Sequence, residues 1–411
     1  MKYGLIGEKL SHSFSKEIHG FLADYEYEIV EIARDGLDSF MKKKDFVAMN
    51  VTIPYKEAVI PYLDYISDQA KEIGAVNTVV NKDGKLFGYN TDFSGMADLI
   101  NCAKVNVSGK KVLITGTGGT SKTALAVADA LGAKEICVVS RSAKDGAITY
   151  DEAYEKHSDA EIIINTTPVG MYPNIEGLPI DPSRFKNLEG AIDAIYNPLR
   201  TMFVQKSRDC GAIAEGGLYM LVAQGVRAAE IFLDKDFSKE ETDRVYKKIM
   251  RSKENIVLSG MPGCGKSTIG KMLAEKLGRR FIDIDEEIVK MEGSPITEIF
   301  AEGGEKLFRD KETEAVSAVA RISGAVIATG GGAILRDENV RLLGQNGRIY
   351  FLDRPLEQLV PTEDRPLASS KEAIINRYNE RFPRYTATCD VHLKTDGIAE
   401  HAVENIIKDF E

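Results

Sequence analysis

Residues 255–267 read NIVLSGMPGCGKS, and this stretch decides the fold of the segment around it. Asn255 to Ser259 is short, apolar and β-branched and ends at a glycine, the pattern of a buried strand. Gly260 to Ser267 then match G-x-x-x-x-G-K-[ST], and an amphipathic stretch from Thr268 to Leu277 follows. Strand, loop and helix in that order make a phosphate cradle. Gly260, Gly263 and Gly265 let backbone N–H groups converge on a nucleotide's phosphates, and the helix N-terminus at Thr268 adds positive potential. Lys266 reaches the β- and γ-phosphates, and the Ser267 hydroxyl ligates magnesium.

Outward from this motif, strand-like runs alternate with helix-like stretches along most of the chain, which predicts an α/β fold with largely parallel sheets. The clearest buried strands are Lys111–Thr115, Glu135–Ser140, Glu161–Asn165, Asn255–Ser259 and Ala325–Ala328. The charged stretch from Glu240 to Lys253 has Val245, Ile249 and Met250 at helical spacing, so it reads as a docked last helix before a very short linker. A chain of 411 residues is long enough for about two to four domains, and three lobes are expected. They are residues 1–102, completed by helices at about 218–250, then 103–217, then 254–411.

The composition, 43% hydrophobic and 28% charged, excludes disordered and collagen-like classes. A net charge of −10 gives no bulk attraction to nucleic acid or to acidic membranes. The first residues hold no sustained apolar stretch, so no secretory signal is expected, and no run approaches the roughly 18 apolar residues of a spanning helix. Five cysteines, widely separated and never in C-x-x-C spacing, argue for reduced thiols in the cytoplasm and against a disulfide framework or a zinc motif.

Downstream of the cradle, Asp283 and Asp285 close the next strand one residue apart, on one face if the segment is extended. One carboxylate could hold magnesium through water while the other accepts a hydrogen bond from a substrate hydroxyl. Phe308-Arg309 and Glu312 come next, then Gly330-Gly331-Gly332 after a strand, where backbone can approach a small ligand. Arg365 and Arg381 offer forked donors to a phosphate or carboxylate. In this order, residues 254–411 resemble shikimate kinase, a small member of the nucleoside monophosphate kinase group of P-loop folds. The resemblance implies that Asp285, Arg309, Arg381 and the Gly330–Gly332 turn bind shikimate, with both arginines on its carboxylate. It also implies that Lys266 and Asp285 are catalytic, that Ser267 and Asp283 belong to the magnesium shell, and that Arg365 is a lid arginine closing over ATP. The family's lid is usually longer and more basic than the short, acidic segment between Leu352 and Arg365, so slower turnover or a higher nucleotide KM is expected.

In the amino-terminal half, Gly116, Gly118 and Gly119 follow a strand and open a helix, a dinucleotide turn with Ser121 where a third glycine is usual. The next strand ends in Ser140-Arg141-Ser142, a cation between two hydroxyls where an NAD site would carry an acid, which predicts NADP. Thr166 follows a third strand and would border the nicotinamide. Ser13 and Ser15 offer two hydroxyls, pointing the same way if extended. Thr52 and Lys56 share one loop, Asn90 and Asp92 another, and a lysine with an aspartate can handle a proton. Taken singly, each loop also reads as ordinary turn and cap chemistry.

The ordered set SHSFS, NVTIPYK, GAVNTV, GYNTD, GTGGTS, SRS, NTTPVGM, DAIYNPLRT and GGLYMLVAQG resembles shikimate dehydrogenase. That resemblance implies an α/β substrate lobe beside a Rossmann-type NADP domain, with Lys56 and Asp92 as the catalytic pair. Ser13, Ser15, Thr52, Asn77, Asp92 and Gln224 would bind the substrate, with Tyr196 close to it. Gly116, Gly118, Gly119, Ser140, Arg141, Ser142, Thr166 and Gly217 would contact the cofactor. Lys9 and Lys16, where prolines are common, and Ser140, where asparagine is frequent, depart from the family pattern at its flanks.

Both resemblances point to one metabolite, so the expectation is a bifunctional enzyme of aromatic amino-acid biosynthesis. It would reduce 3-dehydroshikimate with NADPH and phosphorylate the shikimate with ATP and Mg2+. The alternatives are a catabolic quinate/shikimate dehydrogenase with an impaired kinase, and a P-loop lobe that only regulates the dehydrogenase. Small molecules, not nucleic acid or membrane, are the expected partners.

Overall fold

The computed structural model describes all residues except Met1, residues 11–12, residue 145 and residues 360–370. It divides into two compact units, Met1–Ile249 and Met250–Glu411, each α/β. Among the described residues no helix is long and apolar enough to cross a membrane.

The first unit is built on two six-stranded sheets. The first contains β1 (Tyr3–Gly7), β2 (Tyr27–Glu31), β3 (Ala48–Val51), β4 (Tyr65–Ile66), β5 (Thr78–Lys82) and β6 (Lys85–Tyr89), in the order β2-β1-β3-β5-β6-β4. It is mixed: β5 runs antiparallel to both β3 and β6, because β5 and β6 are joined by the tight turn at Asp83 and Gly84. The expectation of largely parallel strands therefore fails locally, since a two-residue connection can only make a hairpin.

The second sheet contains β7 (Lys111–Thr115), β8 (Glu135–Ser140), β9 (Ile148–Thr149), β10 (Ile162–Asn165), β11 (Gly190–Asp193) and β12 (Ile213–Glu215). Its order, β12-β11-β10-β7-β8-β9, is fully parallel and reverses direction between β7 and β10. That reversal is the switch point at which open α/β sheets take ligands. The helix Leu218–Leu233 serves both sheets. Tyr219, Met220 and Ala223 pack with Met96, Leu99 and Val112, while Ala228 and Phe232 join Leu5, Leu10 and Tyr27. A helix apolar nearly all round is one buried between layers.

The second unit carries β13 (Asn255–Ser259), β14 (Phe281–Asp283), β15 (Val326–Ala328), β16 (Gly347–Asp353) and β17 (Val391–Lys394), all parallel, in the order β14-β15-β13-β16-β17. Central β13 is buried along its whole length, as a strand covered on both faces must be. Its Ile256 and Leu258 share a core with Leu273, Val326, Tyr350, Phe351, Val403 and Ile406. The helix Lys266–Leu277 follows the glycine loop directly. The helical stretch Ile296–Ala320 is broken at Gly304, where φ is 67°, so Arg309 and Glu312 lie on its second part.

Candidate active sites

In the first unit, Lys56 sits in the loop after β3, where its carbonyl accepts from the Val76 N–H at 2.8 Å. Asp92 is the first residue of the helix Asp92–Ala103, where a carboxylate also meets the positive end of the helix. The Lys56 ammonium donates to Asp92 Oδ2 at 2.5 Å, and both side chains are largely shielded from water. Around the pair lies a buried polar mesh. Thr91 N–H donates to Asn77 Oδ1 at 2.8 Å, Asn77 Nδ2 donates to Thr91 Oγ1 at 3.0 Å, and Thr91 Oγ1 reaches Gln224 Oε1 at 3.4 Å. Asn77, Asp92 and Gln224 thus meet through Thr91, a linking residue the sequence reading passed over.

Ser13 and Ser15 also come together, with their hydroxyls 3.1 Å apart, although not as an extended pair. Ser15 opens the helix Ser15–Leu22, and its N–H donates to Ser13 Oγ, so the segment is a turn entering a helix. Ser11 and His12 of the same motif lie outside the described residues. Thr52 is half-buried, held by its N–H to the Ile6 carbonyl at 3.0 Å. The Tyr196 ring meets Phe14 edge-on at 5.1 Å, and burial pushes its phenol up to about 12.

The dinucleotide turn abuts this mesh. Ser121 closes it by donating to the Gly116 carbonyl at 2.7 Å, which explains how serine serves where glycine is usual. A side chain at Gly118 would meet only open space, whereas one at Gly119 would come within 3.8 Å of Lys56 Cδ. The turn therefore has one open face and runs beside the lysine. At the end of β8 the Ser140 hydroxyl donates to the Ser142 carbonyl at 2.8 Å, and Arg141 is exposed, with no ion pair among the described residues. This surface fits a ribose 2′-phosphate.

Two expected cofactor residues have structural work of their own. The Thr166 hydroxyl donates to the Thr115 carbonyl at 2.6 Å, and a Cβ at Gly217 would lie 2.3 Å from the Ala194 carbonyl oxygen. Glycine at 217 is thus required by close backbone approach alone.

Beneath the turn runs a buried chain of polar groups across three strand ends. Thr115 Oγ1 donates to Asn165 Oδ1 at 2.7 Å, Asn165 Nδ2 to Asp193 Oδ1 at 2.9 Å, and Thr201 Oγ1 to Asp193 Oδ2 at 2.6 Å. Burial pushes the Asp193 carboxyl up to about 6, against the hydrogen bonds from Thr201, the Ile195 N–H and Asn165. Asp193 begins a quoted motif, but nothing in linear spacing ties it to Asn165.

In the second unit, the Lys266 ammonium lies inside the glycine loop and donates to the carbonyls of Gly260 at 2.8 Å and Met261 at 3.0 Å. Gly265 enters the helix with φ at 100°, a left-handed conformation open to glycine, and Thr268 follows in the first turn. Ser267 Oγ donates to Asp283 Oδ2 at 2.7 Å, so hydroxyl and carboxylate stand together as oxygen donors suited to magnesium. Asp283 also accepts from the Asp285 N–H and caps the helix Ile284–Glu292. Asp285 is therefore a first-turn helical residue, and the extended reading of the pair is corrected: the strand ends at Asp283 because its side chain caps the helix that follows.

Asp285 still faces the glycine turn. A Cβ at Gly330 would lie 2.9 Å from Asp285 Oδ1 and 2.6 Å from Glu312 Oε1, and one at Gly332 would overlap the Arg309 guanidinium. Arg309 donates to Glu312 at 2.7 Å and to Glu305 at 3.1 Å. Arg381, on the helix Lys371–Thr388, donates from Nη1 to the Gly331 carbonyl at 3.0 Å, while its buried Nε–H has no hydrogen-bond partner among the described residues. A buried, unsatisfied guanidinium N–H is costly and marks a place for an anion. Burial pushes the Glu312 carboxyl up, with Arg309 pulling the other way. Arg377, one turn before Arg381, is a further cation here: burial and the charges of Arg381 and Arg309 lower its pKa. Arg365 and most of the expected lid lie outside the described residues.

Three comparisons bear on these sites. A family model described as "Shikimate kinase" matches residues 262–411, and one described as "Shikimate dehydrogenase substrate binding domain" matches residues 5–79. The NADP(+)-dependent shikimate dehydrogenase of Clostridium beijerinckii is 38% identical over 259 residues, covering 59% of this chain and 96% of that protein. Shikimate dehydrogenase 1 of Peptoclostridium difficile, a solved structure, superposes with a TM-score of 0.57 at 38% identity, covering 61% of this chain and 98% of that one. The Thermus thermophilus enzyme, solved with NADP(H) and shikimate, gives 0.55 at 26% identity, covering 60% and 99%.

Proposed function

The chain belongs to the shikimate dehydrogenase family over its first ~250 residues and carries a shikimate kinase domain over residues 262–411; on that premise we propose that it catalyses two successive steps of aromatic amino-acid biosynthesis. The first unit reduces 3-dehydroshikimate to shikimate, and the second phosphorylates the shikimate 3-hydroxyl. The observation that carries this reading is the Lys56–Asp92 pair, closed at 2.5 Å and set beside the dinucleotide turn.

Bound NADPH supplies the hydride and bound ATP, with Mg2+, the phosphoryl group. In the reduction, Lys56 delivers a proton to the 3-oxygen while Asp92 orients the ammonium. The hydroxyls of Ser13, Ser15 and Thr52 receive the carboxylate, and Asn77 and Gln224 hold ring hydroxyls in place through the Thr91 mesh, with Tyr196 alongside. Arg141, flanked by Ser140 and Ser142, favours NADP, since a guanidinium fork matches a phosphate. Gly116, Gly118, Gly119 and Thr166 border the dinucleotide, and Gly217 shapes the adjoining backbone.

In the phosphorylation, Arg381 and Arg309 take the carboxylate and Asp285 accepts from the attacking hydroxyl. Ser267 and Asp283 hold the cation, and Gly260, Gly263, Gly265 and Thr268 cradle the phosphates. Lys266 exchanges two loop carbonyls for phosphate oxygens. Catalysis is then positioning and charge neutralisation. We place both reactions in the cytoplasm, where NADPH and ATP are supplied. Supplying the whole chain with 3-dehydroshikimate, NADPH, ATP and Mg2+ tests the proposal by product mass: shikimate 3-phosphate is expected, and unchanged starting material would overturn it.

A further inference from the structure

Away from both sites, Glu135, Cys137 and His157 bring one carboxylate oxygen, one thiol and one imidazole nitrogen together beside the first half of β8, which β9 leaves uncovered. Cys137 Sγ lies 3.5 Å from Glu135 Oε1 and 3.5 Å from His157 Nδ1, and His157 Nδ1 lies 3.6 Å from the same carboxylate oxygen. The three donors form a nearly equilateral triangle. Tetrahedral zinc, with bonds of about 2.3 Å to sulfur and about 2.0–2.1 Å to nitrogen and oxygen, separates its ligand atoms by roughly 3.3–3.6 Å. The triangle therefore has the size of one face of a zinc tetrahedron before any atom moves.

The backbone holds the donors in place. Glu135 and Cys137 are alternate residues of β8, so their side chains leave the same face of the sheet, and both are paired in register with β7, to Lys111 and Leu113. His157 ends the helix Tyr150–Lys156, with its N–H bonded to the Ala153 carbonyl and its own carbonyl bonded by Ala160 N–H. The charge balance is also suitable, since a thiolate and a carboxylate neutralise a divalent cation. Lys111 lies 3.4 Å from Glu135 Oε1, but it already reaches Asp159 at 2.9 Å and can keep that partner when a cation takes the first. Glu135 is exposed, leaving the outer side of the triangle to a water as fourth ligand. The mixed thiol, imidazole and carboxylate set selects zinc over magnesium or calcium.

We propose that Glu135, Cys137 and His157 form a binding site for a divalent cation of zinc's chemistry, tying β8 to the helix that follows it. Linear spacing could not show it, because the cysteine stands alone in sequence and the imidazole arrives twenty residues later.

The test is titration of the full chain with Co2+ as a spectroscopic probe, followed by competition with Zn2+. One thiolate-ligated cobalt per chain is expected, with a thiolate-to-metal charge-transfer band that zinc abolishes. Cys137→Ser should remove the band, and His157→Ala should weaken binding at least about tenfold, since losing even an outer-shell partner costs about 10–100-fold. Dehydrogenase activity, which neither residue touches, reports that each variant is folded, and Glu135→Gln is the substitute should either fail to fold. Absence of a thiolate band in the parent chain would overturn the proposal, as would a band surviving Cys137→Ser, which would place the metal on another cysteine.

Discussion

The two units solve one recognition problem with opposite electrostatics. In the first, the lysine and aspartate are paired with each other beside the glycine turn, and the neighbouring amide and hydroxyl groups are already linked around them. In the second, the key cations are occupied by their own scaffold: Lys266 by two loop carbonyls and Arg309 by two glutamates, while the buried Arg381 Nε–H has no hydrogen-bond partner among the described residues. A proton-transfer site benefits from a pair set in advance, whereas a phosphoryl-transfer site must not leave strong cations buried without partners. The first arrangement pairs its reactive groups with each other, whereas the second holds its cations on scaffold partners that a ligand can replace.

The sharpest way to break this contrast is Lys56→Ala, expected to cut NADP-linked oxidation of shikimate by about 10²–10⁴-fold, the usual share of a general acid or base. Phosphorylation, followed by ADP release, should be unchanged; equal loss of both activities would mean that the sites are not independent. Lys266→Ala should do the converse, lowering phosphorylation by about 10²–10³-fold, as removal of one preorganised charge does, while leaving NADPH oxidation intact.

The buried Asp193 gives a prediction in stability. Its folded pKa, about 6, lies above the unfolded value of 3.8, so the fold prefers the protonated form. That preference is present in full below pH 4 and is lost as pH rises through 6. The loss is of order 3 kcal/mol for a shift of about two units. Denaturation of the parent chain across this range should show the decline, and Asp193→Asn should flatten it. A parallel decline in both proteins would assign it elsewhere.

Arg381→Ala should raise the kinase KM for shikimate by about 10- to 100-fold, the worth of a lost charged hydrogen bond. An unaltered KM would place the carboxylate elsewhere. Smallest is Arg141→Ala, which should raise the KM for NADP roughly tenfold through loss of one exposed charged contact while that for NAD stays put. Equal changes for both cofactors would remove Arg141 from phosphate recognition.

What sequence could reveal depended on how far apart the cooperating residues are. The glycine loop was readable because strand, turn and helix are contiguous, and β13 begins and ends at the expected residues. The strands Lys111–Thr115 and Glu135–Ser140 were equally readable from their β-branched apolar centres, although only the first is buried along most of its length and the second stays half-exposed. The pairing of Asp193 with Asn165 and Thr201 was not, because side chains meet across strand ends only after the sheet order is set. Nor was the role of Thr91, which links residues from three separate segments. Asp285 was misplaced on a strand because Asp-x-Asp fits two local structures, and the capping hydrogen bond that decides between them is invisible in spacing. The hairpin of β5 and β6 interrupts a parallel pattern for the same reason: a local turn overrides a global alternation.

The polar chain from Thr115 through Asn165 and Asp193 to Thr201 has a mechanical corollary. The carboxyl rim of the second sheet must travel as one piece, since shifting any one of its loops would strand a desolvated partner on the next. The glycine turn above it therefore rests on a rigid floor rather than on a set of separable loops.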